Sequence, residues 1–159
     1  MAVVSLPTAD GGVEEYEAGE PLEFVTSAAG AFPRIAYSAA HVVSDPYADC
    51  DPWLETAIDW DATIEYRRHL WSLGMGVAEA MDTAQRGMGL DWPTSLELIK
   101  RSVDAAKDFG EGALIASGAG TDHIAPDPSL TVDDIIAAYE EQCAAVEAAG
   151  GRIILMASR

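Results

Sequence analysis

A chain of 159 residues, 49% of them apolar, is long and hydrophobic enough for one domain with its own core, so disorder is not expected. Its formal charge of −18 comes from 27 acidic against 9 basic residues spread along the chain, which argues against nucleic acid and anionic membranes as partners and reads as a solvated surface. No apolar run approaches the roughly 20 residues that span a bilayer, and MAVVSLPTADGG lacks the basic start of a signal peptide, so a soluble cytoplasmic protein is expected.

In chain order, VVSLPTADGGVEEYEAG places two short segments around Asp10-Gly11, a hairpin signal. Pro21 and the small residues SAAGA then lead to Pro33, so residues 1–33 read as an N-terminal β-hairpin and connector. From Arg34 strand and helix alternate. RIAYSAAHVV is a first strand (34–43), ending in a polar, proline-containing loop. DWDATIEYRRHLWSLG is a helix capped by Asp59 or Asp61, with Ile64, Leu70, Trp71 and Leu73 as its apolar face and Gly74 as its stop.

GVAEAMD follows as a second strand (76–82), and TAQRGMGLDW is the loop leaving its C-terminal end. Thr94 and Glu97 fit a capping box for a second helix, whose face is Leu96, Ile99, Val103 and Ala106 and whose end is Gly110. ALIASGAGTD holds a third strand (113–119). A third helix, about Thr131 to Ala149, carries Ile135, Tyr139, Cys143 and Val146 in one stripe; Gly150-Gly151 closes it and RIILMASR supplies a fourth strand (151–158). Apolar strands alternating with amphipathic helices form a parallel sheet covered by helices, so the expected class is α/β, with residues 34–159 as four parallel strands and three helices.

In such folds ligands sit beyond the C-terminal ends of the strands. His41 ends the first strand, Glu79 and Asp82 the second, Asp122 and His123 the third, and Ser158 and Arg159 the fourth. Arg86, in the glycine-flanked loop after the second strand, either holds a substrate carboxylate or ties the loop through Asp82 or Glu79. A buried Glu79 needs a partner: it is paired with an arginine or tuned as an acid–base group. His41, Asp122 and His123 with Glu79 or Asp82 offer nitrogen and oxygen ligands for a divalent metal, but no HExxH-type spacing supports that, and no metal or cofactor is expected. SGAGTDH lacks the third glycine of a dinucleotide loop, and its glycines read as permitting a tight turn. Trp53, Trp60, Trp71 and Trp92 are expected as core or rim packing, and Cys50 and Cys143 as structural thiols.

At AYSAAHVVSDP, WDATIEYRRHLWSLGMGVAEAMDTAQRGMGLDWP and AAGGRIILMASR the chain resembles an uncharacterised bacterial family grouped with the dihydrodipicolinate synthase and N-acetylneuraminate lyase barrels. The resemblance implies a (β/α)8 barrel of which this chain looks like the N-terminal half, stopping at the fourth strand. It also implies Schiff-base lyase or aldolase chemistry on a keto-acid substrate. In that group the lysine lies on the sixth strand and a helper tyrosine on the fifth, and the chain's two lysines, Lys100 and Lys107, fall on the second helix instead. The implied role of this chain is to bind a small-molecule substrate through His41, Glu79, Asp82, Arg86, Asp122 and His123. A metal-dependent lyase or hydrolase on the same scaffold is the alternative. Half a barrel leaves sheet edges open, so a homo-oligomer, a complementary half-barrel or an inactive, assembly-dependent fragment is also expected.

Overall fold

The computed structural model describes residues 2–24 and 33–157. The hairpin pairs β1 (Val3–Pro7) antiparallel to β2 (Val13–Glu17), with Pro7 opposite Val13. Its reversal runs over Thr8 to Gly12, where Gly11 takes φ +84° and the Gly12 carbonyl accepts from Thr8 N–H at 3.0 Å. Every residue of both strands is exposed. The SAAGA connector lies outside the described residues, as do Ser158 and Arg159.

The remainder alternates as the sequence predicts: β3 (Tyr37–Ala39), α1 (Trp60–Ser72), β4 (Gly76–Glu79), α2 (Trp92–Phe109), β5 (Ile115–Ala119), α3 (Val132–Ala148) and β6 (Ile153–Leu155). The four strands are parallel and pair in sequential order, with Tyr37 beside Gly76, Val77 beside Ile115 and Ser117 beside Ile153. A doubly wound sheet reverses its order partway, whereas a barrel pairs each strand with the next. The chain is therefore α/β with the architecture of a half-barrel, preceded by an antiparallel hairpin. α1 neighbours α2 and α2 neighbours α3, as repeated same-handed crossovers require.

The helix ends are written locally. The Asp59 carboxylate accepts from Ala62 N–H and caps α1, resolving the choice between Asp59 and Asp61. At its far end Gly74 N–H donates to Trp71 C=O and Met75 N–H to Leu70 C=O, with Gly74 at φ +80°. Gly150 and Gly151 repeat this pattern on Glu147 and Val146 at the end of α3. These paired bonds satisfy the last carbonyls, and the left-handed turn favours glycine. The expected capping box at Thr94 and Glu97 is not the start of α2. Asp91 caps it through Thr94 N–H, and Trp92-Pro93 form its first turn, where proline loses no helical bond. The capping box belongs to α3, between Thr131 and Asp134.

The strands are shorter than expected, for identifiable reasons. Val43, placed in the first strand, instead receives the Asp59 N–H on its carbonyl and donates its own N–H to Thr63 Oγ1, so the chain has already turned toward α1. β4 stops at Glu79 because Ala80 takes φ +50°. Leu98, Ile99, Val103 and Val146 pack with Ala80, Ala84 and Leu90 in one cluster, and Leu70, Trp71 and Val77 with Ala40, Ala105 and Ala106 in a second. Trp71 is thus core, but Trp53 is 92% exposed and packs neither core nor rim. No helix among the described residues is long and apolar enough to cross a membrane.

Gly118 and Gly120 do not take the turn conformation expected of them, since neither has positive φ. Gly118 instead permits close approach: a Cβ there would lie 2.8 Å from the Ala80 carbonyl oxygen and 2.9 Å from Met156 Sδ. A Cβ on Gly120 would meet mainly Met156 Cε at 3.0 Å, the end of a flexible side chain. Gly118→Ala should therefore lower unfolding stability by about 1–3 kcal/mol, and Gly120→Ala by less. Urea denaturation of the two variants checks this, and equal effects would contradict it.

Candidate functional site

The C-terminal edge of the sheet is built by the loops following β4 and β5. The β4–α2 loop is unusually constrained. Ala80 (φ +50°) and Gln85 (φ +66°) are non-glycine residues in the left-handed region, and Gly87 and Gly89 also have positive φ. Between them Asp82–Ala84 form one 3-10 turn, and Met88 and Leu90 both donate their N–H to Gln85 C=O. Left-handed alanine carries strain that persists only where the surroundings over-determine it. Here Ala80 N–H donates to Glu79 Oε1 at 2.9 Å and its carbonyl accepts from Arg86 at 3.1 Å.

This folding turns Arg86 inward until it is 2% exposed. Its Nε donates to Asp122 Oδ2 (3.2 Å), and Nη2 to Asp122 Oδ1 (2.6 Å) and Gln142 Oε1. Nη1 donates to the carbonyls of Ala80 (3.1 Å) and Gly118 (2.7 Å). The five N–H donors of the guanidinium thus meet five acceptors within the chain. Its Cζ lies 5.1 Å from the Trp92 ring centre, adding a cation–π contact. Of its two expected roles, this geometry matches loop-tying, and the partner is Asp122 on the next loop, not Asp82 or Glu79.

Gln142 completes the arrangement from α3. Its Oε1 accepts from Arg86 and from Gly120 N–H (2.8 Å), while its Nε2 donates to Asp122 Oδ1 (3.0 Å) and reaches His123 Nδ1 at 2.8 Å. Two donors on the oxygen and a carboxylate on the nitrogen fix the amide's orientation. His123 Nδ1 must then accept, which puts the ring proton on Nε2. Burial pushes the Asp122 carboxyl up, but the hydrogen bonds from Arg86 and Gln142 and the Arg86 charge together outweigh it and hold the group below its ordinary value.

The six predicted residues divide. Arg86, Asp122 and His123 are joined through Gln142. Asp82 is exposed but borders the same small cavity as Arg86, Thr121 and Asp122. Glu79 faces α1, where Arg67 grips it in a bidentate pair with both contacts at 2.9 Å and both side chains fully buried. Of its two expected roles this is the paired one. The His41 side chain is exposed, and the residue enters the arrangement through its carbonyl, which accepts from Arg67 Nη1. Sequence reading missed Arg67, Glu141 and Gln142. Gln142 carried a legible signal: it lies four residues from both Ala138 and Val146, on the buried stripe of α3, and an amide there needs partners.

Beside this network, between the β4–α2 loop and α3, lies a cleft of about 600 Å³ bordered by Asp91, Trp92, His123 and Glu141. Among the described residues no three histidine, cysteine or carboxylate side chains converge as metal ligands would.

The chain belongs to the family described as "Protein of unknown function (DUF993)", which matches residues 4–159. No curated protein matches it.

Two outcomes follow from the ion pairs. Glu79→Gln strands the buried Arg67 charge and should cost about 3–5 kcal/mol, whereas Arg67→Met with Glu79→Leu should cost less than the sum of the single changes; denaturant unfolding of the cycle measures both. Because the Asp122 carboxyl is lowered on folding, its contribution is fully present above the ordinary carboxylate range and is lost as pH falls through the lowered folded value. The stability gap between the wild type and Asp122→Asn should therefore be widest near neutrality and close in acid, and a gap independent of pH would contradict this.

Proposed function

We propose that this chain forms part of a barrel enzyme of the dihydrodipicolinate synthase and N-acetylneuraminate lyase group, a carbon–carbon lyase or aldolase acting on a keto-acid type substrate. The supporting observation is the sequential parallel order β3-β4-β5-β6, which brings the chemistry-bearing loops to one edge of the sheet. In this reading the chain holds and orients substrate, and the strands completing the barrel carry the Schiff-base lysine. Lys100 and Lys107 do not serve: both are exposed on α2, and Lys107 pairs with Asp104 at 2.9 Å. In such a reaction a lysine amine condenses with the substrate ketone, releasing water, and the iminium accepts the electron pair of the carbon–carbon bond that breaks.

Arg86 contributes rigidity here, since its donors are engaged within the chain. Asp82, exposed beside the same small cavity, is the group of this segment best placed to meet substrate. The sheet also favours assembly. Among the described residues β3 and β6 each pair on one side only, and the hairpin exposes Val3, Val13 and Tyr16. Complementary strands or a second copy would cover these surfaces.

The deciding experiment treats a longer family member, in which this segment is followed by further strand–helix units, with pyruvate and borohydride. A reduced covalent adduct on a lysine outside this segment is expected, with none on the present chain treated alike. Absence of an adduct from the longer protein would remove the Schiff-base assignment. Sedimentation of the present chain should show self-association, and a compact stable monomer would count against the assembly reading.

A further inference from the structure

The cleft between the β4–α2 loop and α3 has a chemistry that the lyase reading does not use. One wall is the start of α2, where Asp91 commits Oδ1 to the Thr94 N–H, and Trp92 follows. The opposite wall is α3, which presents Glu141 with its side chain 66% exposed. His123 closes the inner end. Its Nδ1 is engaged by Gln142, so Nε2 bears the proton, and that nitrogen is shielded from solvent with no hydrogen-bond acceptor. Glu141 Oε2 stands 3.4 Å away and makes no hydrogen bond with it. A buried imidazole N–H without an acceptor is costly to leave unmade. It marks a place for an oxygen atom, reached when the exposed Glu141 side chain turns aside.

The electrostatics select the rest of that molecule. No lysine or arginine borders the cleft among the described residues. Asp122 is already neutralised by Arg86, which leaves Glu141 and the second oxygen of Asp91 as unneutralised acceptors. An anion entering would meet two carboxylates and no cation. A cation would meet both with the Trp92 ring nearby, and the volume of about 600 Å³ is that of an ordinary small-molecule site.

We propose that this cleft binds a small amine-bearing alcohol, its oxygen accepting the His123 Nε2–H and its ammonium lying between Glu141 and Asp91. Gln142 is a positioning residue in this arrangement, because its amide sets which imidazole nitrogen carries the proton.

Three probes of matching size separate the contributions: ethanolamine, ethylene glycol and glycolate, which are cationic, neutral and anionic. Each is titrated at millimolar concentrations into the full chain labelled with nitrogen-15. Ethanolamine should move the Trp92 indole N–H, the His123 ring and the Gly87 and Gly89 amides. It should bind about fivefold more tightly than ethylene glycol, the worth of one favourable ion pair near the surface, and glycolate should leave those signals in place. Glu141→Gln, at an exposed position where the fold is not at stake, should weaken ethanolamine to near the ethylene glycol level and leave ethylene glycol unchanged. Equal binding of glycolate, no cleft shifts with any probe, or a preference for ethanolamine that survives Glu141→Gln would each overturn the proposal. These readouts are independent of the lysine adduct that tests the lyase reading.

Discussion

The arrangement of the functional edge depends on burying one guanidinium. A buried charge is stable only when paired and fully hydrogen-bonded, and Arg86 finds its acceptors on four different segments. Asp122 comes from the loop after β5, Gln142 from α3, and the carbonyls of Ala80 and Gly118 from the ends of β4 and β5. Satisfying the arginine therefore draws these elements to one point. The features of the β4–α2 loop that are unfavourable taken singly follow from this. Left-handed Ala80 and Gln85 turn the chain back so that Arg86 can reach inward, and Gly118 has no side chain because the Ala80 carbonyl must pass close by.

The second buried pair has a different task. Arg67 and Glu79 lie between α1 and β4, and Arg67 also holds the carbonyls of His41 and Thr63. Together the two arginines fasten the ends of β3, β4 and β5. Glu79, Arg86 and Asp122, which sequence reasoning assigned to substrate, are engaged in these pairs, and Asp82, His41, Asp91 and, from α3, Glu141 face solvent. The chain carries −18 overall, yet at this edge its carboxylates are sorted into those neutralised by arginine and those left free. That sorting gives the neighbouring cleft its preference in charge.

Much of the architecture was legible because it is written in local signals. Asp10-Gly11 marks the hairpin, Asp59 caps α1, Gly74 and Gly150 end α1 and α3, and period changes separate strand from helix. Strand limits were not, since Val43 leaves the sheet for a partner, Thr63, twenty positions on. The start of α2 was misplaced because Thr94 and Glu97 imitate a capping box while Asp91 and Pro93 supply the actual start. At the site, Arg86, Asp122 and His123 were legible as strand-end residues. Their common partner was not, because a glutamine within the stripe Ala138, Gln142 and Val146 looks like a surface residue until the face it shares is recognised. Arg67 was hidden the same way, on a helix face that periodicity alone leaves polar.

The two loops and α3 form one rigid unit around Arg86, and the Gly120 amide reports on it directly. That N–H lies just beyond β5 and donates to Gln142 Oε1 at 2.8 Å in a buried position. Native-state hydrogen exchange should therefore show Gly120 protected to the same level as Ser117 and Ala119 within the strand. Exchange of Gly120 at the rate of an open loop, with Ser117 and Ala119 still protected, would show instead that the sheet folds without this lock.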